Sequence, residues 1–582
     1  MYLSELEINN FRRLSSVKLK FEAGLNIILG PNNVGKSAVI EALRSLLAGA
    51  DDPYPRFLWD DVYCPKGGER KGQISFKFVF RDLDPDEEAD FLGALIKDAS
   101  GALIASMTVQ YGEPDKAGRL KVKRWCGDHE GNPVTSDMLE NLRSVYLPPL
   151  RDAGQGLKPG RSSQLARLVQ LLSDDAGRDA INQQLLELDK ELKKQAPLVK
   201  THDAIDKRHK AMIGATMQQA IELGLSGTDF QKLSARLSML VDTFEIEHNG
   251  LGFNNLLFMA VVLSELAMNP DASFRSLIVE EPEAHLHPQL QSILLKYLTN
   301  IESSEGEKAV QVFVTSHSPN FASIAKLKTI VCLVETETGI EGFAPRDVTF
   351  KTGDREKLER YLDITRGEIF FARRIIFVEG AAEQMMIHVL AEKAGYNLRD
   401  QAVSVISVDG LNFDCFLPLF GEKALKIPVA VLTDADPQKI SSPGTDPIAH
   451  YPATGEAITI SDTAASLKRL EDMFVKVFYG QKTFEYDLAL ESGNIATMLA
   501  GLKSIHPQIG AALDAQVALA ASVQEKAKAL FQGMFERSQN NVQKGKFGQA
   551  LASQVQDGGQ PVIVPDYIKK AISHVCDFGI TP

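Results

Sequence analysis

The sequence predicts an α/β protein made of two parallel-sheet modules, the first interrupted by a helical insertion. Three observations carry that reading. The apolar run LNIILG passes straight into the loop GPNNVGKS (Gly30 to Ser37) and then into SAVIEALRSLLAG, which has helical spacing. From about Ser162 to Val241 the pattern turns helical. Beyond residue 370, RIIFVEG, AAEQMMIHVLAEKAG, AVSVISVDG, FDCFLPLFGEKALK and IPVAVLTDADP alternate as strand, helix, strand, helix, strand.

The elements follow in order. MYLSELEINNFRRL alternates like a strand and has no secretory core. ISFKFVF, LIASMTVQY, RLKVKRW and SVYLPPL read as strands. In the insertion, Ile181, Leu185, Leu188 and Leu192 recur at helical spacing, as do Phe230, Leu233, Leu237 and Leu240. SLIVEEPE, VQVFVTSHSP and TIVCLVETE return to strand, and the charged DREKLERYLDITRGEIFFARR reads as a helical connector. The expected divisions are 1–161, 162–241, 242–366 and 367–582.

Composition narrows the function classes. A chain of 582 residues exceeds one ordinary core. A net charge of −13 argues against a surface coated for nucleic acid, but allows a local groove or a site that meets phosphate through cations. No apolar run is read as long enough to span a membrane. The five cysteines are scattered with no CxxC pair, which argues against structural zinc and disulfides and for a reducing cytoplasm.

GPNNVGKS matches GxxxxGK[ST]. Gly30, Asn32, Asn33 and Gly35 let backbone N–H groups curl around phosphates, Lys36 neutralises the outer oxygens, and Ser37 holds Mg²⁺. The pattern implies ATP. In SLIVEEPEAHLHP, Glu280 is the candidate partner of Mg²⁺ and Glu281 the base that orients and deprotonates water. His317 in VTSHSP ends a third strand, where it would sense the terminal phosphate.

A second acidic group gathers further on. Glu379 ends a strand in IIFVEGAAEQ, and Glu383 lies one helical turn later. Asp434 and Asp436 end another strand in AVLTDADP. Parallel strands deliver their carboxyl ends to one edge. Four carboxylates there repel unless cations bind, and hard oxygen ligands suit Mg²⁺ or Mn²⁺. Two such ions would clamp a phosphodiester.

EINNFRRL, the phosphate loop, EEPEAHLHP and TSHSP together resemble the ABC-type ATPases of recombination and chromosome maintenance. That resemblance implies a signature loop acting on the nucleotide of a second copy. HNGLGFNN, with Asn249, Gly250 and Gly252, is the candidate, beside the plainer reading of a glycine turn. The VEG and DAD strand ends resemble the Toprim fold. An ABC-type ATPase head followed by a Rossmann-like Toprim domain is similar to the OLD (overcoming lysogenization defect) family of nucleases, and YLPPLRDA, TFEYDLA and QKGKFGQALA extend the likeness. The resemblance implies that Glu485 joins the metal ligands and that Lys544 stabilises the transition state, with Lys546 as a close rival. It gives the helical insertion a role in dimerisation; KELKKQAPLVKTHDAIDKRHK is alternatively a DNA-facing patch or a solvated face. Asp409 in SVDG ends a strand near the cluster and has a structural reading.

The leading expectation is an ATP-hydrolysing, metal-dependent DNA endonuclease that works as a homodimer or tetramer, in phage defence or DNA processing, with no partner protein identified. A clamp-type repair ATPase without nuclease activity and a Toprim ribonuclease are the alternatives.

Overall fold

The computed structural model describes residues 1–48, 53–149, 156–160, 163–214, 217, 219–270, 272–300, 307–440, 447–557 and 559–579. An antiparallel sheet opens the chain. Its strands β1 (Tyr2–Phe11), β2 (Leu14–Lys20), β4 (Ile74–Arg81), β5 (Leu95–Lys97) and β6 (Leu103–Pro114) run in the order β2-β1-β4-β6-β5, and β7 (Leu120–Cys126) pairs with β6. Beside it stands the sheet β14-β13-β3-β12-β11-β8, built from β3 (Leu25–Leu29), β8 (Leu142–Leu147), β11 (Phe274–Glu280), β12 (Gln311–Thr315), β13 (Ile330–Thr336) and β14 (Gly339–Phe343). All its pairings are parallel except β13 with β14. Every residue of β3, β11 and β12 is buried, which is why these strands read as mostly apolar runs rather than alternations.

One core lies between the two sheets, where Leu6, Phe76 and Phe78 meet Ile28, Ile278 and Phe313 around the helix Lys36–Arg44. The other face of the parallel sheet is covered by the helices Leu251–Met268 and Pro288–Thr299. The former has a mean hydropathy of 1.6 over 18 residues and is long and apolar enough, by length and composition alone, to cross a membrane. Its Val262, Leu263 and Leu266 pack into the head core, and its Glu265 pairs with Arg143 at 3.1 Å. Those contacts are those of a core helix.

The insertion forms the helices Gln164–Leu171, Asp175–Lys193 and Ala196–Ile213. Neither of the two long helices buries a residue within the described chain, and Leu188 is 49% exposed. The helix expected from Phe230 to Leu240 stops at Ser234. Asp242 and Thr243 take positive φ and turn the chain, so β9 (Leu240–Val241) pairs with β10 (Phe244–Glu245). FDCFLPLFGEKALK gives only the turn Phe413–Phe416 and a 3-10 turn, because Pro418 cannot donate into a continuing α-helix.

The connector is broken into the helix Asp354–Tyr361 and the 3-10 turn Arg366–Phe370. The second module is a four-stranded parallel sheet, β16-β15-β17-β18, from β15 (Arg374–Val378), β16 (Val403–Ser407), β17 (Val429–Leu432) and β18 (Val475–Phe478). The head core runs on into it through Leu358, Ile369, Phe370, Phe377 and Phe416. The helices Phe484–Leu490, Asn494–Ile505, Val523–Phe535, Lys544–Gln556 and Asp566–Cys576 share a further core on the sheet with the helix Ala381–Lys393.

Candidate functional sites

In the head, β3 lies next to β12, and β12 next to β11, so the phosphate loop, His317 and Glu280 all leave the same sheet edge. They line a cavity of about 360 Å³ with Asn32, Asn33, Gly35, Ser37 and Glu281. Gly30 has φ +149, and a Cβ there would lie 2.6 Å from the Leu333 carbonyl oxygen, so no larger residue fits the turn. Lys36 Nζ donates to the carbonyls of Gly30 (2.6 Å) and Pro31 (2.9 Å). Burial pulls its ammonium down to about 8, against the opposing pull of Glu281 and Glu283. A buried cation that relies on backbone carbonyls is suited to an arriving polyphosphate.

Ser37 Oγ donates to Glu280 Oε2 at 3.1 Å. These are two hard oxygens side by side, a donor set that fits Mg²⁺. Glu281 has φ 46, a left-handed backbone that turns its carboxylate toward His317, with Nε2 and Oε1 3.5 Å apart. Burial, with Lys36 nearby, holds the His317 imidazole below its ordinary value, so it stands as a neutral group. Glu283 was not singled out from the sequence. Its Oε1 accepts from Ser316 Oγ and the His317 amide, both at 2.8 Å, and so fixes the histidine loop.

Asn249, Gly250 and Gly252 lie elsewhere, at the start of the helix Leu251–Met268. A Cβ on Gly252 would sit 2.6 Å from the His285 carbonyl oxygen, so that helix end abuts the loop after β11. Asn249 Nδ2 is buried without a hydrogen-bond partner among the described residues, while Leu251 and Phe253 are exposed.

In the second module Glu379 follows β15 and Asp434 follows β17. Glu379 Oε1 accepts from Thr433 Oγ1 (2.7 Å) and from the Asp434 amide (2.8 Å), and Asp434 Oδ1 accepts from the Phe484 amide (2.9 Å). That last bond ties the helix Phe484–Leu490, and with it Glu485, to the strand end. Burial, then Glu379, raises Asp434 well above the carboxylate range. Burial, then Glu485, raises Glu383 to about 7. Glu485 is 1% exposed, and Lys544 Nζ meets its Oε2 at 2.9 Å.

Burial alone would lower the Lys544 ammonium; Glu485, Asp434 and Glu383 outweigh it and hold it above its ordinary value. Lys546 is exposed and makes no ion pair among the described residues. Asp436 is also exposed, with φ 40, and its carboxylate makes no bond to the other four among the described residues. Asp409 departs from the cluster. It pairs with buried Arg366, which also donates to the Ser407 and Tyr361 carbonyls, so it clamps the connector onto β16.

Among the described residues no three His, Cys, Asp or Glu side chains converge into a ready metal cage. Glu379 is turned to the loop after β17, and Lys544 faces Glu485. The electrostatics still fit a cation, because Glu485 Oε1 is buried without a hydrogen-bond partner and the neighbouring carboxylates are pushed toward protonation.

The phosphate loop is linked to the start of the second module. Arg13 donates to the Asn33 carbonyl of the phosphate loop and pairs with Glu335 at 2.7 Å. Glu335 in turn meets Arg373, the residue before β15, at 3.5 Å. Of the stretches quoted above, 150–153 of YLPPLRDA lie outside the described residues.

Comparison with known proteins decides the family. An AAA ATPase domain model matches residues 1–223 and 140–322, and the overcoming lysogenization defect protein-like TOPRIM domain model matches 370–436. The chain belongs to the AAA ATPase domain family and carries an OLD-like TOPRIM domain. The OLD nuclease of Thermus scotoductus is 24% identical over 75% of this chain and 82% of its own. Endonuclease GajA of Bacillus cereus VD045 is 21% identical over 75% of each. Among solved structures, the C-terminal region of the Burkholderia pseudomallei OLD protein is 28% identical over 36% of this chain and 98% of its own, with a TM-score of 0.26. This chain thus joins an AAA ATPase domain to an OLD-like TOPRIM nuclease domain in one enzyme.

Proposed function

We propose that this chain is a divalent-metal-dependent DNA endonuclease controlled from an ATP site in the same polypeptide. The observation that carries the reading is the group of half-buried Glu379 and Asp434 and buried Glu383 and Glu485 at the carboxyl edge of the second sheet, with Lys544 held against Glu485 at 2.9 Å. The names of the relatives, OLD nuclease and endonuclease, support the same reading. Mg²⁺ or Mn²⁺, as two ions, would hold the reacting oxygens when bound. Glu379, Glu383, Asp434, Asp436 and Glu485 would hold the metal, Asp436 by turning in from its exposed position. Lys544 would offset charge that develops on the scissile phosphate.

In the head, Gly30 to Ser37 would cradle ATP, Ser37 and Glu280 would hold Mg²⁺, Glu281 would draw the proton from water, and His317 would meet the terminal phosphate. Asn249, Gly250 and Gly252, flanked by exposed Leu251 and Phe253, suit closure over the nucleotide of a second copy. The unburied long helices of the insertion suit a dimer contact as well. We assign 1–161 and 242–366 to the ATPase, 162–241 to the insertion and 367–582 to the TOPRIM part. Five free cysteines suit a reducing cytoplasm, and phage defence or DNA processing is the proposed setting.

The test is supercoiled plasmid with Mg²⁺ or Mn²⁺, with and without ATP, wild type beside Asp434→Ala. Nicked or linear product from wild type alone is expected. Intact DNA in every lane, with ATP still hydrolysed, would remove DNA from the reading and turn the search to RNA or to a clamp-type role.

A further inference from the structure

Glu280 is held from two sides. Ser37 Oγ, on the phosphate-loop helix, donates to Oε2 at 3.1 Å. The phenol of Tyr146, on β8, donates to Oε1 at 2.7 Å. The guanidinium of Arg44 lies 4.0 Å from the centre of the Tyr146 ring, and Arg44 is itself paired with Glu41 at 2.9 Å one turn back on the same helix. Glu280, Tyr146 and the helix Lys36–Arg44 thus form one closed bracket that spans β8, β11 and the phosphate-loop helix.

The bracket answers a physical need. A glutamate has one more rotatable bond than an aspartate, and therefore more freedom to lose before it can hold a cation at a fixed point. Two donors on opposite oxygens remove that freedom. A tyrosine phenol is protonated at neutral pH and a carboxylate can only accept, so the hydroxyl is the donor in this bond. The arginine over the ring face is a favourable cation–π contact that holds the ring in place. β8 is the edge strand of its sheet and pairs with β11 in parallel, Tyr146 opposite Ile278, which sets the phenol beside the end of β11.

We propose that Tyr146 is a positioning residue of the ATPase site: its hydroxyl sets the Glu280 carboxylate so that Oε2 and Ser37 Oγ together receive the Mg²⁺ of MgATP. The proposal rests on the ATP reading of the head and goes beyond it.

Tyr146→Phe keeps the ring and the Arg44 contact and removes only the hydroxyl. The Mg²⁺ concentration for half-maximal ATP hydrolysis should rise about tenfold or more, the loss expected for a hydrogen bond to a charged acceptor. Binding of a fluorescent ATP analogue in EDTA should stay as in wild type, while the tightening that Mg²⁺ gives to wild type should be lost. Arg44→Gln leaves the hydroxyl and should move the Mg²⁺ dependence the same way, but less. Tyr146→Phe with wild-type Mg²⁺ dependence would overturn the proposal. So would equal weakening of analogue binding with and without Mg²⁺, which marks a packing role. Failure of wild type to bind the analogue at all would instead sink the ATP reading of the site.

Discussion

The helix that carries Lys544 packs on the helix that carries Glu383, and the contact point is a glycine. A Cβ built on Gly548 would lie 2.9 Å from Ala382 Cα, 3.1 Å from Ala382 Cβ and 3.2 Å from its carbonyl oxygen. These neighbours are mostly backbone and cannot swing aside. Ordinary carbon contacts begin at about 3.5–4.0 Å, so Gly548→Ala should drive the helices apart by roughly 0.5–1 Å. Overpacking of this kind costs about 1–3 kcal/mol. Alanine regains up to about 1 kcal/mol of helix propensity. The net loss of about 0–2 kcal/mol leaves the chain folded.

The effect on chemistry should be larger. Lys544 opens that helix and reaches Glu485 at 2.9 Å, so the shift is passed to the ammonium. A misplacement of about 1 Å can cost on the order of a hundredfold in rate. Gly545→Ala is the control, since its Cβ would meet nothing closer than 3.9 Å. The assay is the rate of plasmid nicking, with ATP hydrolysis and thermal unfolding measured on the same preparations. Slow nicking by Gly548→Ala, intact ATP hydrolysis and a near-normal Gly545→Ala are expected. Wild-type nicking by Gly548→Ala would refute the argument that this contact aims the lysine.

Asp434→Asn keeps an acceptor for the Phe484 amide and should lose plasmid cleavage while it retains ATP hydrolysis, measured by phosphate release. Lys544→Met should slow cleavage by about 10²–10³-fold, the scale of one lost transition-state donor, whereas Lys546→Met, at an exposed position, should cleave nearly as wild type in the same gel assay. Gly30→Ala should abolish nucleotide binding in a titration, because its Cβ has no room beside the Leu333 carbonyl. Arg366→Met should strip donors from the Ser407 and Tyr361 carbonyls and cost about 2–4 kcal/mol, read as a lower midpoint in urea.

The sequence by itself determined the two α/β modules, the phosphate loop and the acidic strand ends. These are local patterns: a buried parallel strand must be apolar throughout, and its end must turn, so strand, loop and helix are written in adjacent residues. It also singled out Glu379, Glu383, Asp434 and Asp436, whereas Glu485 and Lys544 came from family likeness, because no local rule links positions so far apart along the chain. Sequence periodicity misread Leu237 and Leu240 as helical, since the turn at Asp242 and Thr243 drew the segment into a hairpin instead. Tyr146 carried no signal beyond its place in YLPPLRDA, and Glu283 looked like one more acidic residue.

Only the tertiary structure decided which of two lysines meets Glu485, that Asp409 clamps Arg366 and stands apart from the acidic cluster, and that Tyr146 and Ser37 hold one carboxylate between them. The reason is physical. Strand order, helix packing at a glycine and the burial that moves a carboxyl's proton affinity are properties of neighbours in space, and residues as distant in the chain as Ser37 and Glu280 become neighbours only when the sheets are assembled.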